Sequence, residues 1–246
     1  MTDISRRKAI KTIGVTAAVT AASVSGIAAM VSGTHEHKKF EDMKVLLLNG
    51  SPRFKGNTNR MLEEIAAQLA KNGIQSEIVQ IGPDPIRGCI ACGKCAGKGK
   101  CVFDDDLCNR MLEKMAGCDG IIVGSPVYYG VPAGPVLTLL QRMAYSGSQV
   151  MQGKPAAAIT VCRRGGATAA FQTLQMPFQM LNMPIVTSQY WNIAYGGAPG
   201  EVEKDAEGMQ TMRTLADNMA YMLKQLHSGT ADKPERERGT FTNFIR

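Results

Sequence analysis

The sequence predicts an α/β domain built on an open, doubly wound parallel sheet of about five strands, with helices on both faces. Short apolar runs alternate along the chain with longer amphipathic stretches, as in successive βαβ units. Residues 45–48 are continuously apolar, which is typical of a parallel strand buried on both faces. The 246 residues, 44% of them hydrophobic, suffice for one such domain with accessory segments.

Each predicted strand is followed by a loop and then by a helix. The strands are predicted at residues 44–49, 74–81, 119–124, 156–161 and 184–187, and the helices at 57–71, 105–116, 135–145, 168–181 and 201–226. Parallel strands place their carboxyl ends at one edge of the sheet, where ligands of open α/β sheets bind. The loops that follow the first, third and fourth strands are therefore the candidates for chemistry.

The N-terminus has the pattern of a twin-arginine export signal. Arg6 and Arg7 precede residues 12–33, which carry no charge and are rich in Ala, Thr, Ser and Gly rather than Leu. An uncleaved anchor is the alternative, because about 20 apolar residues can span a bilayer. The predicted organisation is a signal at 1–33, a linker at 34–43, the folded domain at 44–227 and a C-terminal tail at 228–246.

This organisation predicts a protein exported by the twin-arginine route, in the periplasm or on the outer face of the cytoplasmic membrane. Membrane contact is expected only through the signal or anchor segment. The formal net charge of +7 is modest, and several of the basic residues lie in the signal. A charge this small argues against a nucleic-acid-binding protein.

The loop after the first strand has the composition of a phosphate site. Residues 49–59 combine Gly, Ser, Arg, Asn and Thr and lead directly into a predicted helix, whose free N–H groups and dipole favour an anion. The candidate phosphate contacts are Ser51, Arg53, Asn57, Thr58 and Asn59. An ordinary Asn or Thr helix cap is the simpler alternative. The loop has neither the Walker A nor the Gly-x-Gly-x-x-Gly pattern.

Two further loops are expected at the same edge of the sheet. Residues 124–134 contain prolines and glycines, which can shape a wall for a flat ring with Tyr128 or Tyr129 on its face. Residues 162–168 are again glycine-rich and open a helix. The three loops together predict one pocket.

Four of the seven cysteines lie in a Gly- and Lys-rich loop, residues 87–106, which we call the cysteine loop. The spacing of Cys89, Cys92, Cys95 and Cys101 suits a metal ion or an iron-sulfur cluster. Free or disulfide-forming thiols and a structural zinc site are the alternatives. Cys108, Cys118 and Cys162 are predicted to be buried apolar residues.

These motifs resemble the flavodoxin-like NAD(P)H-dependent FMN reductase family, in particular its iron-sulfur flavoprotein branch. The resemblance covers residues 44–246, and the motifs occur in the family's order. It implies a flavodoxin-like fold of three layers, α/β/α, with the cysteine loop as an insertion. It also implies FMN, with its phosphate on the first loop and its ring against residues of the other two. The implied ring contacts are Pro126, Val127, Tyr128, Tyr129, Gly130, Arg163, Gly165 and Gly166.

The same resemblance implies a [4Fe-4S] cluster on the four cysteines of the loop and NAD(P)H as a possible co-substrate. It further implies a homodimer or homotetramer with the flavin near a subunit interface. The expected activity is that of an FMN-dependent oxidoreductase that passes electrons between FMN and the cluster, without a catalytic acid or base from the protein.

Other functions stay open at this point. An exported protein does not meet the cytoplasmic NAD(P)H pool, so one alternative is a non-enzymatic electron carrier that links a quinol or redox protein to an acceptor. Others are a cluster-free flavin reductase with a thiol lid and a zinc-structured binding module. The redox alternatives require a small-molecule or protein electron donor and acceptor.

Overall fold

The computed structural model describes residues 40–231. The predicted signal, most of the linker and the end of the tail lie outside this range. Within it, residues 40–42 of the linker form one 3-10 turn before the first strand. The predictions for residues 1–39 and 232–246 are therefore not tested by the structure.

The sheet follows from apolar runs that pair in parallel. Its strands are β1 (Lys44–Asn49), β2 (Gln75–Gln80), β3 (Gly120–Tyr128), β4 (Val131–Pro132), β5 (Ala156–Cys162) and β6 (Ile193–Tyr195). The parallel strands are ordered β2-β1-β3-β5-β6, and the short β4 forms an antiparallel hairpin with β3. This order confirms the doubly wound, flavodoxin-like sheet, with the reversal of strand order between β1 and β3.

The helices lie on both faces of the sheet. They are α1 (Asn57–Lys71), α2 (Leu107–Ala116), α3 (Gly134–Ser146), α4 (Ser148–Met151), α5 (Ala167–Met180) and α6 (Ala206–Ser228). The last helix begins five residues later than predicted, because Glu201–Lys204 forms a 3-10 turn. Asp205 then caps the helix by accepting a hydrogen bond from the Gly208 N–H at 2.9 Å.

Two apolar clusters form the core, one on each face of the sheet. Leu47 and Ile122 face the cluster formed with α1 and α6. Leu46 and Val123 face the opposite cluster, formed with α2, α3 and α5. All four strand residues are fully buried. Continuous burial on both faces explains the uninterrupted apolar runs of the central strands.

The prediction of a strand at residues 184–187 is wrong. Only Ile185 forms an isolated bridge, with Ala156. The chain then leaves the sheet edge at residues 187–191 and returns as β6, which pairs with the end of β5. Between these two contacts the Asn192 side chain supplies a hydrogen bond to β5: its amide donates to the Ala158 carbonyl at 3.1 Å. The apolar run therefore predicted the burial of this segment, but a single bridge to β5 forms in place of a strand.

The structure contains no helix in residues 40–231 with both the length and the apolar character needed to cross a bilayer.

Candidate functional site

The main candidate site is a cavity of about 260 Å³ at the carboxyl ends of β1, β3 and β5. All three loops singled out in the sequence contribute to it. Its lining includes Ser51, Arg53, Gly56, Asn57, Thr58, Pro126, Val127, Tyr128, Val161, Cys162 and Arg163. Among these described residues there are two cationic side chains and no acidic one, so the cavity favours an anionic ligand.

The first loop is held in place by buried amides beneath it. Asn49 is fully buried, and its Oδ1 accepts a hydrogen bond from the Ser51 N–H at 3.0 Å. Its Nδ2 donates to Gln80 Oε1 at 2.6 Å, and Gln80 in turn donates to the Ser51 carbonyl. The loop is therefore fixed before any ligand binds, which lowers the entropic cost of binding.

The start of α1 is open toward the cavity. Gly56 precedes the helix in an extended conformation and offers no side chain to cap it. The first N–H groups of α1 therefore remain available for an anion, beside the Ser51 hydroxyl. Ser51 and Thr58 are both buried at this point. The ordinary cap that was the alternative for this loop is not formed by a side chain.

The side chains of Asn57 and Asn59 have other partners. Asn57 donates to the Ala198 carbonyl and accepts from the Gly200 N–H, each at 2.9 Å. Asn59 accepts from Asn49 Nδ2 at 3.2 Å and donates to Glu63 Oε1 at 2.6 Å. Asn57 reaches the cavity, whereas Asn59 is not among its lining residues. Their amides therefore hold loops together in this structure.

The hairpin of β3 and β4 places one tyrosine at the cavity and the other in solvent. Tyr128 lines the cavity, and Tyr129 is fully exposed at the turn. Tyr129 and Gly130 have consecutive positive φ angles of 50° and 84°, as in a two-residue hairpin turn. Tyr129 and Gly130 are not among the cavity-lining residues of this chain.

Gly165 and Gly166 shape the third loop without lining the cavity. A Cβ added to Gly166 would lie 2.6 Å from the Gly130 Cα, so the hairpin turn packs directly on this loop. Gly166 also has a φ angle of 84°, which favours glycine. The close approach holds the second and third loops in a fixed relation.

A fourth wall of the cavity was missed by the sequence analysis. Gly196, Gly197 and Pro199 line it, immediately after β6. The Glu201 carboxylate accepts hydrogen bonds from the N–H groups of Gly197 and Ala198, each at 2.8 Å. These bonds lower the pKa of Glu201. The only signal in the sequence was the glycine pair, which had no predicted strand before it.

The four cysteines of the cysteine loop line a second, smaller cavity. Cys89, Cys92, Cys95 and Cys101 surround it together with Ile90, Val102, Phe103, Arg142, Tyr145 and Ser146. Its volume is about 20 Å³, which is room for about one water molecule. In residues 40–231 no three Cys, His, Asp or Glu side chains are already arranged to hold a metal ion. A cluster therefore requires the loop to widen around it.

The base of the cysteine loop is closed by two arginines. Arg87, at its start, donates its N–H to Asp106 at 3.0 Å and stacks its guanidinium on Phe103 at 4.6 Å. Arg142, from α3, forms a buried ion pair with Asp106 and donates to the carbonyls of Arg87 and Phe103. The predicted boundaries of the loop, 87 and 106, are thus its two anchored ends.

Asn109 fixes the backbone of Cys101. Its side chain accepts from the Cys101 N–H at 2.8 Å and donates to the Cys101 carbonyl at 3.0 Å. Asn109 is buried on α2, so Cys101 is attached to the folded domain rather than to the exposed part of the loop. Cys89 and Cys92 are exposed by contrast. Rearrangement around a ligand would therefore involve Cys89 and Cys92 more than Cys101.

The sequence profile of the NADPH-dependent FMN reductase family matches residues 43–198. The chain belongs to this family. The match covers all three predicted loops and the cysteine loop. It also ends at the fourth wall of the cavity, so nearly the whole candidate site lies within the family's shared region.

Curated relatives place this FMN reductase family member in the iron-sulfur flavoprotein branch. An iron-sulfur flavoprotein of Methanocaldococcus jannaschii is 34% identical over 191 residues, which cover 74% of this chain and 98% of the relative. Iron-sulfur flavoproteins of Archaeoglobus fulgidus and Methanosarcina thermophila are 33% and 31% identical, each over 74% of this chain and 96% of the relative. The protein is an FMN-dependent oxidoreductase of this branch.

Solved structures confirm the fold of this FMN reductase family member. A flavone reductase matches with a TM-score of 0.58 at 17% identity, over 77% of this chain and 66% of the other. An archaeal flavodoxin matches with a TM-score of 0.50 at 16% identity, over 74% of this chain and 99% of the other. At such low identity the likeness concerns the fold alone.

The three remaining cysteines of this family member are buried, as predicted. Burial raises the pKa of the Cys108 thiol to about 11, although Arg142 and Ser146 act in the opposite direction. Burial likewise raises the pKa of Cys118 and Cys162. Thiols held protonated in this way are poor nucleophiles and poor metal ligands. Cys162 is buried and also lines the main cavity, a position that its prediction as a buried apolar residue did not include.

Proposed function

We propose that FMN binds in the main cavity with its phosphate on the first loop. The support is the open start of α1 beside the Ser51 hydroxyl and the Arg53 side chain, in a cavity without acidic lining residues. The isoalloxazine ring then packs against the hairpin residues Pro126, Val127 and Tyr128. Flavin, when bound, accepts a hydride or two electrons and can release them singly.

We further propose that Cys89, Cys92, Cys95 and Cys101 bind a [4Fe-4S] cluster. The observation that carries this proposal is that all four thiols line one small cavity on an anchored loop. This cavity shares no lining residue with the main cavity among the described residues. Gly93, Gly97 and Gly99 have positive φ angles, so backbone N–H groups between the cysteines can turn toward sulfur. Such a cluster transfers one electron at a time and would complement the flavin.

The protein residues hold and orient these groups. Arg53 and the start of α1 bind the phosphate, and the Tyr128 side chain covers the ring. Arg163 lines the cavity, and its side-chain carbons lie beside Gly197 in the fourth wall. A positive charge near the ring favours the reduced state of the flavin, which carries more negative charge. No step of this proposal requires a protein acid or base.

We propose NAD(P)H as electron donor, on the strength of the family's description as NADPH-dependent. The predicted export signal at residues 1–33 favours a second candidate, an exported electron carrier supplied by a quinol or a redox protein. Steady-state oxidation of NADPH by the purified protein, with a quinone or free flavin as acceptor, separates the two. Reduction by a quinol or protein donor alone would exclude the first candidate.

Two further proposals concern location and assembly. We propose that residues 1–33 direct export by the twin-arginine route, and fractionation of cells that express the full chain tests this. We also propose a homodimer or homotetramer. Its support is an exposed apolar surface on α3 and α5 that includes Tyr145, Met176 and Met180. Sedimentation at several protein concentrations would reveal a monomer if the proposal is wrong.

The decisive experiment for the two redox groups is an anaerobic absorption spectrum of the purified protein combined with iron and sulfide analysis. The spectrum is expected to show flavin bands above a broad sulfur-to-iron charge-transfer absorbance. The metal analysis is expected to give about four iron atoms per chain. Flavin bands without iron would leave a flavin reductase with a thiol lid. A colourless preparation with zinc would exclude both redox groups.

Replacing Arg53 by glutamine is expected to weaken FMN binding about tenfold to a hundredfold, since hydrogen bonds to charged groups contribute about 1.5–3 kcal/mol. Binding of riboflavin, which lacks the phosphate, should not change. Quenching of flavin fluorescence measures both affinities in the apoprotein. The matched control is Lys55→Gln in the same loop, because Lys55 does not line the cavity. Equal loss for FMN and riboflavin would place the phosphate elsewhere.

A further inference from the structure

Arg142 is a buried cation at the wall of the cysteine cavity. It projects from the middle of α3, where its neighbours Leu139, Leu140 and Met143 are fully buried in the core. Only 2% of Arg142 is exposed. A guanidinium removed from water is costly unless its charge and its donors are satisfied. The partners of Arg142 therefore indicate what this site is built to hold.

Three of the five N–H groups of the Arg142 guanidinium donate to oxygen atoms of the protein, and the Nε–H does not. One terminal nitrogen donates to the Arg87 carbonyl at 3.0 Å and to the Asp106 carboxylate, and the other donates to the Phe103 carbonyl at 3.3 Å. The Nε–H is buried and has no hydrogen-bond partner among the described residues. An unsatisfied buried donor costs about 1–3 kcal/mol, and more in a charged group.

The four thiols that line the same cavity as Arg142 are candidate acceptors for this donor. Cys101 is one of the four. The Cys101 backbone is held by Asn109, so its thiol cannot easily leave this position. The guanidinium and the thiol of Cys101 therefore belong to the walls of one cavity, each on a part of the chain that is held in place.

We propose that Arg142 is the positioning residue of the cysteine site, whose free donor and positive charge stabilise anionic sulfur at Cys101 and raise the reduction potential of the bound cluster. The inference rests on the proposed cluster. Reduction adds one negative charge to the cluster, and a nearby cation or an N–H donor to sulfur favours that state. Asp106, the ion-pair partner of Arg142, has the opposite effect.

This pair of opposite charges gives a prediction of opposite sign for two neighbouring substitutions. Arg142→Gln removes the cation and leaves the Asp106 carboxylate, so the cluster should become harder to reduce. At the solution potential at which half of the wild-type cluster is reduced, the ratio of reduced to oxidised cluster in Arg142→Gln should be at least tenfold lower. A tenfold change corresponds to 59 mV for one electron. Asp106→Asn should raise the potential instead. Asp106 also caps α2 by accepting a hydrogen bond from the Cys108 N–H at 3.0 Å, and asparagine is a comparably good cap.

Arg87→Gln is the matched control. Arg87 also ties the two ends of the loop, through Phe103 and Asp105, but it does not line the cysteine cavity. The test is an anaerobic redox titration of the loaded protein, followed by electron paramagnetic resonance of the reduced cluster. The flavin potential serves as an internal reference. Arg87→Gln should leave the cluster potential unchanged, even if it loosens the loop.

The outcomes separate this inference from the proposed function. Wild-type protein without iron would overturn both. Iron-loaded Arg142→Gln and Asp106→Asn proteins with wild-type potentials would overturn the inference alone and leave Arg142 as a tie between loop ends. If Arg142→Gln loses iron, Arg142→Lys provides the titration, because it retains the charge without the Nε–H donor. If both Arg142 variants lose iron while FMN is retained, the Asp106→Asn titration decides, because that variant keeps the guanidinium: a raised cluster potential supports the inference and a wild-type potential overturns it. Loss of FMN as well would contradict it.

Discussion

Gly50→Ala is expected to destabilise the protein by about 1–3 kcal/mol and to weaken FMN binding about tenfold. A Cβ at this position would lie 2.7 Å from both the Gly124 carbonyl oxygen and the Val136 Cβ. The Gly50 N–H already donates to that carbonyl at 2.7 Å, so the end of β1 cannot move away without losing the bond. The next residue, Ser51, belongs to the proposed phosphate site.

Thermal unfolding and FMN affinity measure this effect together. Each kcal/mol lost from the free energy of unfolding lowers the melting temperature of a domain of this size by about 2–4 °C. Gly134→Ala is the matched control, because its Cβ would enter open space at the start of α3. Alanine is also favoured in a helix. If both variants have the melting temperature of the wild type, the close packing between β1, β3 and α3 does not limit stability.

The central part of the fold was predictable because burial dictates its pattern. The bounds of β1 and α1 agree with the sequence prediction, since β1 contains the continuous apolar run 45–48 and α1 has one apolar face. The last strand was not predictable in this way. Residues 184–186 are apolar and partly or fully buried, yet their backbone pairs only with Ala156, through the Pro184 carbonyl and the Val186 N–H, each at 2.9 Å. The edge is completed by the Asn192 side chain and β6.

The site was predictable where it follows a predicted strand. Ser51, Tyr128 and Arg163 all come after such strands, and all three line the cavity. Gly196 and Gly197 were missed because β6 itself was missed. Arg142 was missed because a single arginine in an apolar helix can equally be an exposed residue. Asp106 is distant from Arg142 in the sequence, and only the structure shows that the two side chains form a buried ion pair.

Cys95→Ser is expected to abolish iron binding while FMN stays bound. Cys95 lies in the middle of the cysteine run and lines the small cavity with the other three thiols. A serine hydroxyl is a hard, weak ligand that does not replace thiolate at an iron-sulfur cluster. The flavin cavity and the cysteine cavity have no lining residue in common among the described residues. Loss of one group should therefore leave the other in place.

Iron content, sulfide content and the flavin spectrum of the anaerobically purified variant test this expectation. Cys118→Ala is the matched control: Cys118 is buried in the core beyond α2 and does not line the cysteine cavity, so its removal should cost some stability but no iron. Full iron in Cys95→Ser would mean that the ligands are other residues. Zinc in the wild type, lost in this variant, would instead make the cysteine loop a structural metal site. Either result would leave FMN as the redox group of the described domain, because the residues that support flavin binding lie on different loops.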